Sequence, residues 1–150
     1  MEYIIKPYEG VNEYKFGCLL EDILSKIKNN FKRVDNNDLI KLYLDNLSLV
    51  FKDNKLVEIS VIANKDVELY YDEYDLFSYT NIIDKLQESH SYIQKYGFTI
   101  FDSIGVAFSG FQEDEGDRTV TVYSPLLGRN SKLIANKWKF TKGISECVRQ

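Results

Sequence analysis

The sequence is poor in the residues on which most enzyme and metal sites depend. Among 150 residues it has one histidine, His90, and two cysteines, Cys18 and Cys147. A single histidine excludes the H-E-x-x-H zinc motif, and the two distant cysteines form neither a C-x-x-C pair nor a zinc-ligand spacing. Glycine-rich phosphate loops and a G-x-S-x-G serine motif are also missing. We therefore predict no catalytic residue, no metal and no cofactor, and we interpret both thiols as buried and reduced.

Chain breakers and long apolar runs are equally scarce. Two prolines and 8 glycines leave little room for a long linker, so residues 1–150 are predicted to form one domain. No stretch reaches the ~20 apolar residues of a membrane span. The first seven residues have neither the basic start nor the apolar length of a signal peptide. The sequence thus predicts a cytoplasmic protein without a membrane partner, and the net charge of −4 argues against general nucleic-acid binding.

Alternating apolar residues occur in two similar stretches, one in each half of the chain. The first runs over residues 44–51 and returns over 56–61, and the second runs over 101–108 and returns over 119–124. A period of two is typical of strands with one buried face. Further strands are predicted at residues 3–6, 39–44, 67–71 and 98–101, with a turn at 52–55 and a loop at 35–38.

A segment of helical period precedes each alternating stretch. The first apolar stripe comprises Phe16, Leu19, Leu20, Ile23, Leu24, Ile27 and Phe31. Its predicted N-cap is Gly17. The second helix is predicted over residues 81–96, with Thr80 as N-cap, Gly97 after its C-terminus and His90 as a packing residue on its stripe.

Together these patterns predict an α+β fold. It would be an antiparallel sheet of two strand meanders with two helices packed on one face, as a tandem αβββ-like repeat. The halves would span about 1–64 and 65–125, followed by a segment 126–150 that docks on the domain.

The two faces of the predicted sheet differ in polarity. The face toward the helices is predicted to carry Leu47, Leu49, Phe51, Val57, Ile59, Ile104, Val106, Phe108, Val120 and Val122. The other face would carry small and polar residues. Because antiparallel sheets often leave one face to solvent, we expect that face to be open. Ser60, Thr121 and Tyr123 on it are secondary candidates for partner contact.

Two acidic stretches stand out from this pattern. The first contains Glu68, Tyr70, Tyr71, Asp72, Glu73, Tyr74 and Asp75, and the second contains Glu113, Asp114, Glu115 and Asp117. The ordinary meaning of such runs is a solvated surface. Calcium binding is a further option, although the D-x-D-x-D-G spacing is missing. The more specific hypothesis is a partner-binding patch, in which carboxylates steer a basic protein and tyrosines supply contact area.

The first sixty residues contain a recognisable series of short motifs. An apolar residue, Pro, Gly and a Phe-Gly pair precede a helix, and a later strand ends in an apolar-x-apolar-x-Phe run. The residues are Ile5 to Val11 with Pro7 and Gly10, Tyr14 to Gly17, Glu21 to Leu24, and Leu47 to Phe51. This series resembles the pattern of small bacterial immunity proteins. The tandem plan is similar to the β-lactamase inhibitory protein family and to outer-membrane assembly lipoproteins, whose lipobox this chain lacks.

This resemblance implies an antitoxin-like protein of a contact-dependent inhibition or other polymorphic toxin system. Such a protein would bind and block a cognate toxin domain and would be a monomer when free. The acidic stretches fit a basic toxin such as a nuclease. Two alternatives stay open: a small-ligand binder or enzyme that uses the open sheet face, and nucleic-acid binding through Lys132, Lys137, Lys139 and Lys142 of the basic tail.

Overall fold

The computed structural model describes residues 1–28, 30–112 and 117–125. Within these ranges the chain has the predicted α+β fold, with two helices, α1 (Leu20–Lys26) and α2 (Ile82–Gln87), and thirteen strands. The strands are β1 (Glu2–Lys6), β2 (Gly10–Val11), β3 (Tyr14–Lys15), β4 (Lys32–Asn36), β5 (Leu39–Tyr43), β6 (Leu47–Lys52), β7 (Lys55–Ile62), β8 (Glu68–Tyr71), β9 (Tyr74–Asp75), β10 (Ile93–Lys95), β11 (Phe98–Phe101), β12 (Val106–Ser109) and β13 (Thr119–Tyr123).

Eight of these strands form a large antiparallel sheet in the order β10-β11-β12-β13-β7-β6-β5-β4. It consists of the two predicted meanders, which join where β13 pairs with β7, for example Val122 opposite Ile59. Each meander has four strands rather than three. The extra strands are β4, which takes up part of the predicted loop, and β10, which lies in the predicted second helix. The backbone turns back at Asn37 and at Tyr96-Gly97, where positive φ angles allow tight hairpins.

The remaining strands form a second, smaller sheet that the sequence does not predict. Its order is β3-β2-β1-β8-β9, and β1 pairs with β8 in parallel, so that Tyr3 lies opposite Leu69. The inward side chains Tyr3, Ile5 and Leu69 are buried. Burial of these residues explains why two segments so distant in sequence pair with each other.

Both helices are shorter than predicted. Helix α1 begins after Leu19 rather than Gly17 and ends at Lys26, since Ile27 is already extended. Helix α2 begins after Asn81, which is left-handed, and ends at Gln87. The two short helices bury Leu20, Ile23, Ile82 and Leu86, whereas Leu19 and Phe31 of the predicted first stripe are exposed. Residues 93–95, which were predicted to extend α2, pair instead as β10.

The main core lies between the helices, the small sheet and one face of the large sheet. The predicted sheet residues Leu47, Leu49, Phe51, Ile104, Val106 and Phe108 are buried there with Leu20, Ile23 and Leu86 of the helices. Phe16, Leu24, Ile27 and Ile83 pack against this cluster and are partly buried. The prediction of both helices on one face is therefore confirmed.

We call the opposite face of the large sheet the second face. We expected it to be open to solvent, and this expectation is wrong, because many of its side chains are buried. The β6–β7 register shifts so that Val50 pairs with Glu58 and Phe51 with Leu56. Val57 is the extra residue of this bulge and falls on the second face, away from Ile59. It belongs there to a cluster of Val50, Val57, Phe98, Ile100, Ala107 and Tyr123, all buried. Burial removes the apolar surface of these residues from water, which stabilises the fold.

The two halves of the chain follow a similar order of elements. Each has strands of the small sheet, then a helix, then a four-strand meander. The halves are nevertheless interleaved, because the small sheet combines β1, β2 and β3 with β8 and β9. Cys18 is half-buried and free. Cys147 and the segment 126–150 lie outside the described residues.

Candidate partner-binding surface

The parallel pairing of β1 with β8 creates an exposed acidic surface on the small sheet. Because side chains alternate along a strand, burial of Tyr3 and Leu69 turns their neighbours outward. Glu2 therefore lies beside Glu68, and Ile4 beside Tyr70. Ile4 is 46% exposed. Lys6 ends the same outward row of β1. We call Glu2, Ile4, Glu68 and Tyr70, together with the adjoining turn residues Asp72 and Glu73, the acidic face.

Hydrogen bonds hold the acidic face in place. The Asn12 side chain accepts from the Ile4 backbone N–H at 2.7 Å and donates to the Glu2 carbonyl at 3.1 Å, which fixes β1 against the following hairpin. The Tyr70 hydroxyl donates to the Glu68 carboxylate. The pKa of Tyr70 is raised to about 12, mainly by this hydrogen bond, then by burial and by the negative charges of Glu68, Asp75 and Glu2. Tyr70 thus stays a neutral aromatic group among carboxylates.

The turn between β8 and β9 adds two carboxylates to the acidic face. Asp72 has a φ of 55°, which aspartate tolerates better than most residues, and the tight turn leaves Asp72 and Glu73 exposed. Neither forms an ion pair within the described residues. Their charges are therefore presented to solvent and to any approaching partner.

Tyr71 and Tyr74 of this stretch turn inward, and Asp75, which pairs with Tyr70, is occupied by hydrogen bonds to its own hairpin. Tyr71 packs edge-on against His90, and Tyr74 packs edge-on against Tyr79 with ring centroids 4.9 Å apart. Asp75 accepts hydrogen bonds from the backbone N–H groups of Leu69 (3.2 Å) and Phe77 (3.1 Å) and from the Ser78 hydroxyl (2.8 Å). These three side chains support the hairpin, whereas Glu68, Tyr70, Asp72 and Glu73 face outward.

The described ends of the second acidic loop lie near the same hairpin. The Phe111 ring stacks on Phe77, which follows β9, with centroids 6.2 Å apart. The Arg118 guanidinium lies 5.2 Å from the Phe111 ring centroid and donates to the Phe77 carbonyl at 3.2 Å. Asp117 is exposed, while Glu113, Asp114 and Glu115 lie outside the described residues. The structure therefore brings the base of this loop to the segment that follows β9.

The secondary candidates Ser60, Thr121 and Tyr123 were expected on an accessible surface, but the structure buries them wholly or in part. Thr121 is 6% exposed, Tyr123 is fully buried and Ser60 is partly buried. The hydroxyls of Ser60 and Thr121 share a hydrogen bond of 2.9 Å, and the Tyr123 hydroxyl donates to Asp102 at 2.9 Å. Each of these hydroxyls thus has a hydrogen-bond partner within the fold, as buried polar groups require.

His90 has neighbours that sequence reasoning did not find. Its Nε2 lies 3.4 Å from the Tyr71 hydroxyl and its Nδ1 lies 3.4 Å from the Ser103 hydroxyl. Both distances are at the long limit of a hydrogen bond. The arrangement connects the end of α2 to the β8–β9 hairpin and to the turn after β11, which is consistent with the packing role predicted for His90.

Sequence reasoning also missed Glu2 and Ile4. Alternation along residues 68–71 could have shown that Glu68 and Tyr70 lie on the opposite side of the strand from Leu69 and Tyr71, but it does not point to Glu2 or Ile4. The partner strand β1 is far away in the chain, and no local pattern identifies it.

The chain has no detectable relative among known proteins. No family model, curated protein or solved structure matches this chain. Across residues 1–28, 30–112 and 117–125, no three or more His, Cys, Asp or Glu side chains are grouped so that they could hold a metal ion. None of the helices in the described part of the chain has the length and apolar character needed to cross a bilayer.

Proposed function

We propose that this chain is an immunity protein of a bacterial polymorphic-toxin or contact-dependent inhibition system. It would bind a cognate toxin domain through the acidic face and neutralise it by direct contact. The observation that carries the proposal is the juxtaposition of Glu2 and Ile4 with Glu68 and Tyr70 on one exposed sheet surface. Resemblance of the first sixty residues to immunity proteins supports the same function.

The charge distribution favours a basic partner. The chain has 19 cationic and 23 anionic side chains; six of the cations and one of the anions lie in residues 126–150, so residues 1–125 carry a net charge of −9. Such a body attracts a cationic protein from a distance and speeds its association. A nuclease domain, whose nucleic-acid groove is basic, is the partner that we favour, because an acidic protein can occupy that groove.

The acidic face also offers the mixture of groups that tight complexes use. Typical stable interfaces bury ~800 Å² on each partner, with a few aromatic or aliphatic anchors inside a polar rim. Tyr70 and the exposed Ile4 lie at the centre of the acidic face, with Glu2 and Glu68 beside them and Asp72 and Glu73 at one end. We therefore expect Tyr70 to act as an anchor and the carboxylates to set the association rate.

The test is co-purification with the product of the adjacent gene, followed by binding kinetics. The variant Glu2→Lys/Glu68→Lys should mainly slow association and weaken its salt dependence, and Tyr70→Ala should cost at least about 2 kcal/mol and speed dissociation. The matched control, Glu21→Lys/Asp38→Lys, changes the net charge equally at exposed sites outside the small sheet. If a complex forms and both double variants bind equally well, the acidic face is not the site. If no complex forms, the toxin hypothesis fails.

The competing functions have less support. A ligand site on the second face would need an accessible surface, and Thr121 and Tyr123 there are buried. The basic tail proposed for nucleic-acid contact lies outside the described residues. The polar neighbours of His90 do not include a carboxylate within the described hydrogen bonds, as a strong general base would require.

A further inference from the structure

The large sheet ends in two edge strands of different chemical character. Within the described residues these are β4 at one end and β10 at the other. Strand β4 has the sequence KRVDN, in which Arg33 and Asp35 form an ion pair at 2.8 Å. Charged side chains on an edge strand oppose its pairing with another chain. The side chains of β4 therefore protect this edge of the sheet.

Strand β10 instead presents an exposed apolar side chain on each side of the sheet. It has the sequence IQK, with Lys95 as its one charge. Ile93 pairs with Ile100 of the cluster buried on the second face, so it lies on that face, where it is 41% exposed. Tyr92 precedes the strand and packs against Phe101 of the main core, with ring centroids 6.1 Å apart, yet it is 45% exposed. One further strand at this edge would bury both side chains.

The backbone of β10 also has hydrogen-bonding groups that point out of the sheet. Tyr96 and Gly97 form the two-residue turn to β11, and both have positive φ. The residues that flank such a turn exchange both of their backbone hydrogen bonds, and the direction of these groups alternates along the strand. The N–H and C=O of Gln94, and by the same alternation those of Tyr92, therefore point away from β11. No other described segment bonds to them.

We propose that two copies of this chain associate through their β10 edges, in antiparallel pairing, with Ile93 of one copy opposite Ile93 of the other. Two-fold symmetry then places Tyr92 of each copy opposite Gln94 of the other, where the outward backbone groups of both residues bond to each other. Lys95 comes opposite Ser91, so no like charges meet across the pair. The edge is thus complementary to itself, which favours a second copy as its occupant.

The association joins two large sheets into one continuous sheet. It buries Ile93 on one side and Tyr92 on the other, and it would make the free chain a dimer at high concentration rather than the monomer that the resemblance implies. A short edge buries less than the ~800 Å² per partner of a standard stable interface, so the dimer forms reversibly. This inference is independent of the toxin partner, because β10 contributes no residue to the acidic face.

Sedimentation velocity of the full chain measures the association, over concentrations from ~1 to ~500 μM because small interfaces give weak complexes. We expect a reversible equilibrium between monomer and dimer. Ile93→Lys should weaken it at least ~10-fold, since it places a charge on both sides of the pair. The matched control is Ile62→Lys, because Ile62 is an isoleucine of similar exposure, 43%, on the interior strand β7. This control should leave the equilibrium unchanged, and urea unfolding verifies that both variants are folded.

A disulfide tests the register of the pair. In a Cys18→Ser/Cys147→Ser background, Ile93→Cys should oxidise to a covalent dimer, because directly opposite side chains have Cβ atoms only ~4.5–5.5 Å apart. Ile62→Cys, at a site of similar exposure, should form such a dimer much more slowly.

Amide hydrogen exchange tests the edge in the unmodified chain. Exchange at Gln94 should slow as the protein concentration rises, because its N–H is bonded only in the dimer. The N–H of Arg33 on β4, which by the same alternation points away from β5, should exchange equally fast at every concentration. A chain that stays monomeric, equal effects of the two lysine variants, equal cross-linking of the two cysteine variants, or exchange at Gln94 that does not depend on concentration would each overturn the proposal.

Discussion

Tyr123→Phe tests whether the buried phenol at the centre of the large sheet is held by a specific hydrogen bond. The Tyr123 side chain is fully buried, and its hydroxyl donates to the Asp102 carboxylate at 2.9 Å. The substitution removes this hydroxyl and leaves the ring in its edge-on contact with Tyr8. A hydrogen bond to a charged group stabilises by ~1.5–3 kcal/mol. Because water can reach the partly exposed Asp102, we expect the lower end, about 1.5 kcal/mol.

Urea unfolding of Tyr123→Phe, Asp102→Ala and the double variant measures this coupling. We expect the summed losses of unfolding free energy of the two single variants to exceed the loss of the double variant by about 1 kcal/mol, because each single change already removes the shared hydrogen bond. Tyr92→Phe is the control, since its ring is 45% exposed. It should change stability by less than ~0.5 kcal/mol. A loss that small for Tyr123→Phe, or additive single losses, would refute the reasoning.

The same hydroxyl predicts a loss of stability at high pH. Burial, followed by the hydrogen bond and the charge of Asp102, raises the pKa of Tyr123 well above its ordinary value. In the unfolded chain a tyrosine titrates near pH ~10. The stabilisation is therefore fully present below pH ~10 and decreases as the pH rises further, because only the unfolded state releases the proton easily. Tyr123→Phe should lose less stability than the parent between pH ~9 and ~12, as measured by urea unfolding.

Three other substitutions examine the core, a turn and the lone histidine. Leu49→Ala, at a fully buried site, should lower the free energy of unfolding by ~2–5 kcal/mol, and a loss below ~1 kcal/mol would contradict its core position. Gly105→Ala should cost more than ~1–2 kcal/mol, since φ is +65° and the new Cβ would lie 2.9 Å from the Tyr8 ring. Gly17→Ala, where a Cβ meets open space at φ +89°, should cost less in the same unfolding assay. His90→Ala should lower stability by less than ~1 kcal/mol, because both of its hydrogen bonds are 3.4 Å long. If a turnover were found and His90→Ala abolished it in a folded protein, the protein would be an enzyme after all.

Local sequence was sufficient for the first hairpin of the large sheet and, apart from Val57, for the sheet face toward the helices. Residues 47–52 and 55–62 alternate in polarity around Asp53-Asn54, and both turn residues adopt the positive φ that Asp and Asn tolerate. In the second half, the alternating residues of β12 and β13 also pair with each other as predicted. Each of these features depends on neighbours a few residues away, so a single stretch of chain contains the information.

The candidate surface was predictable only in part. The carboxylates of residues 68–73 were found by composition alone. That Tyr71 and Tyr74 turn inward, and that Asp75 caps the following turn, depends on packing against His90, Tyr79 and Phe77. The contribution of Glu2 and Ile4 depends on a strand pairing between opposite ends of the first seventy residues.

The sequence by itself determined the α+β class, the two meanders and, apart from Val57, the sheet residues that face the helices, because these follow from the local period of apolar side chains. Tertiary structure decided the rest. Ile93 to Lys95 lie within the segment predicted as the second helix, yet they form a strand, since pairing with β11 across the Tyr96-Gly97 turn is available to them. The bulge at Val57 turns this side chain from the face toward the helices to the second face, where it joins a buried cluster. Simple alternation had predicted that the second face would be open. Alternation reports the direction of each side chain only while the register is regular, and contacts between distant strands set that register.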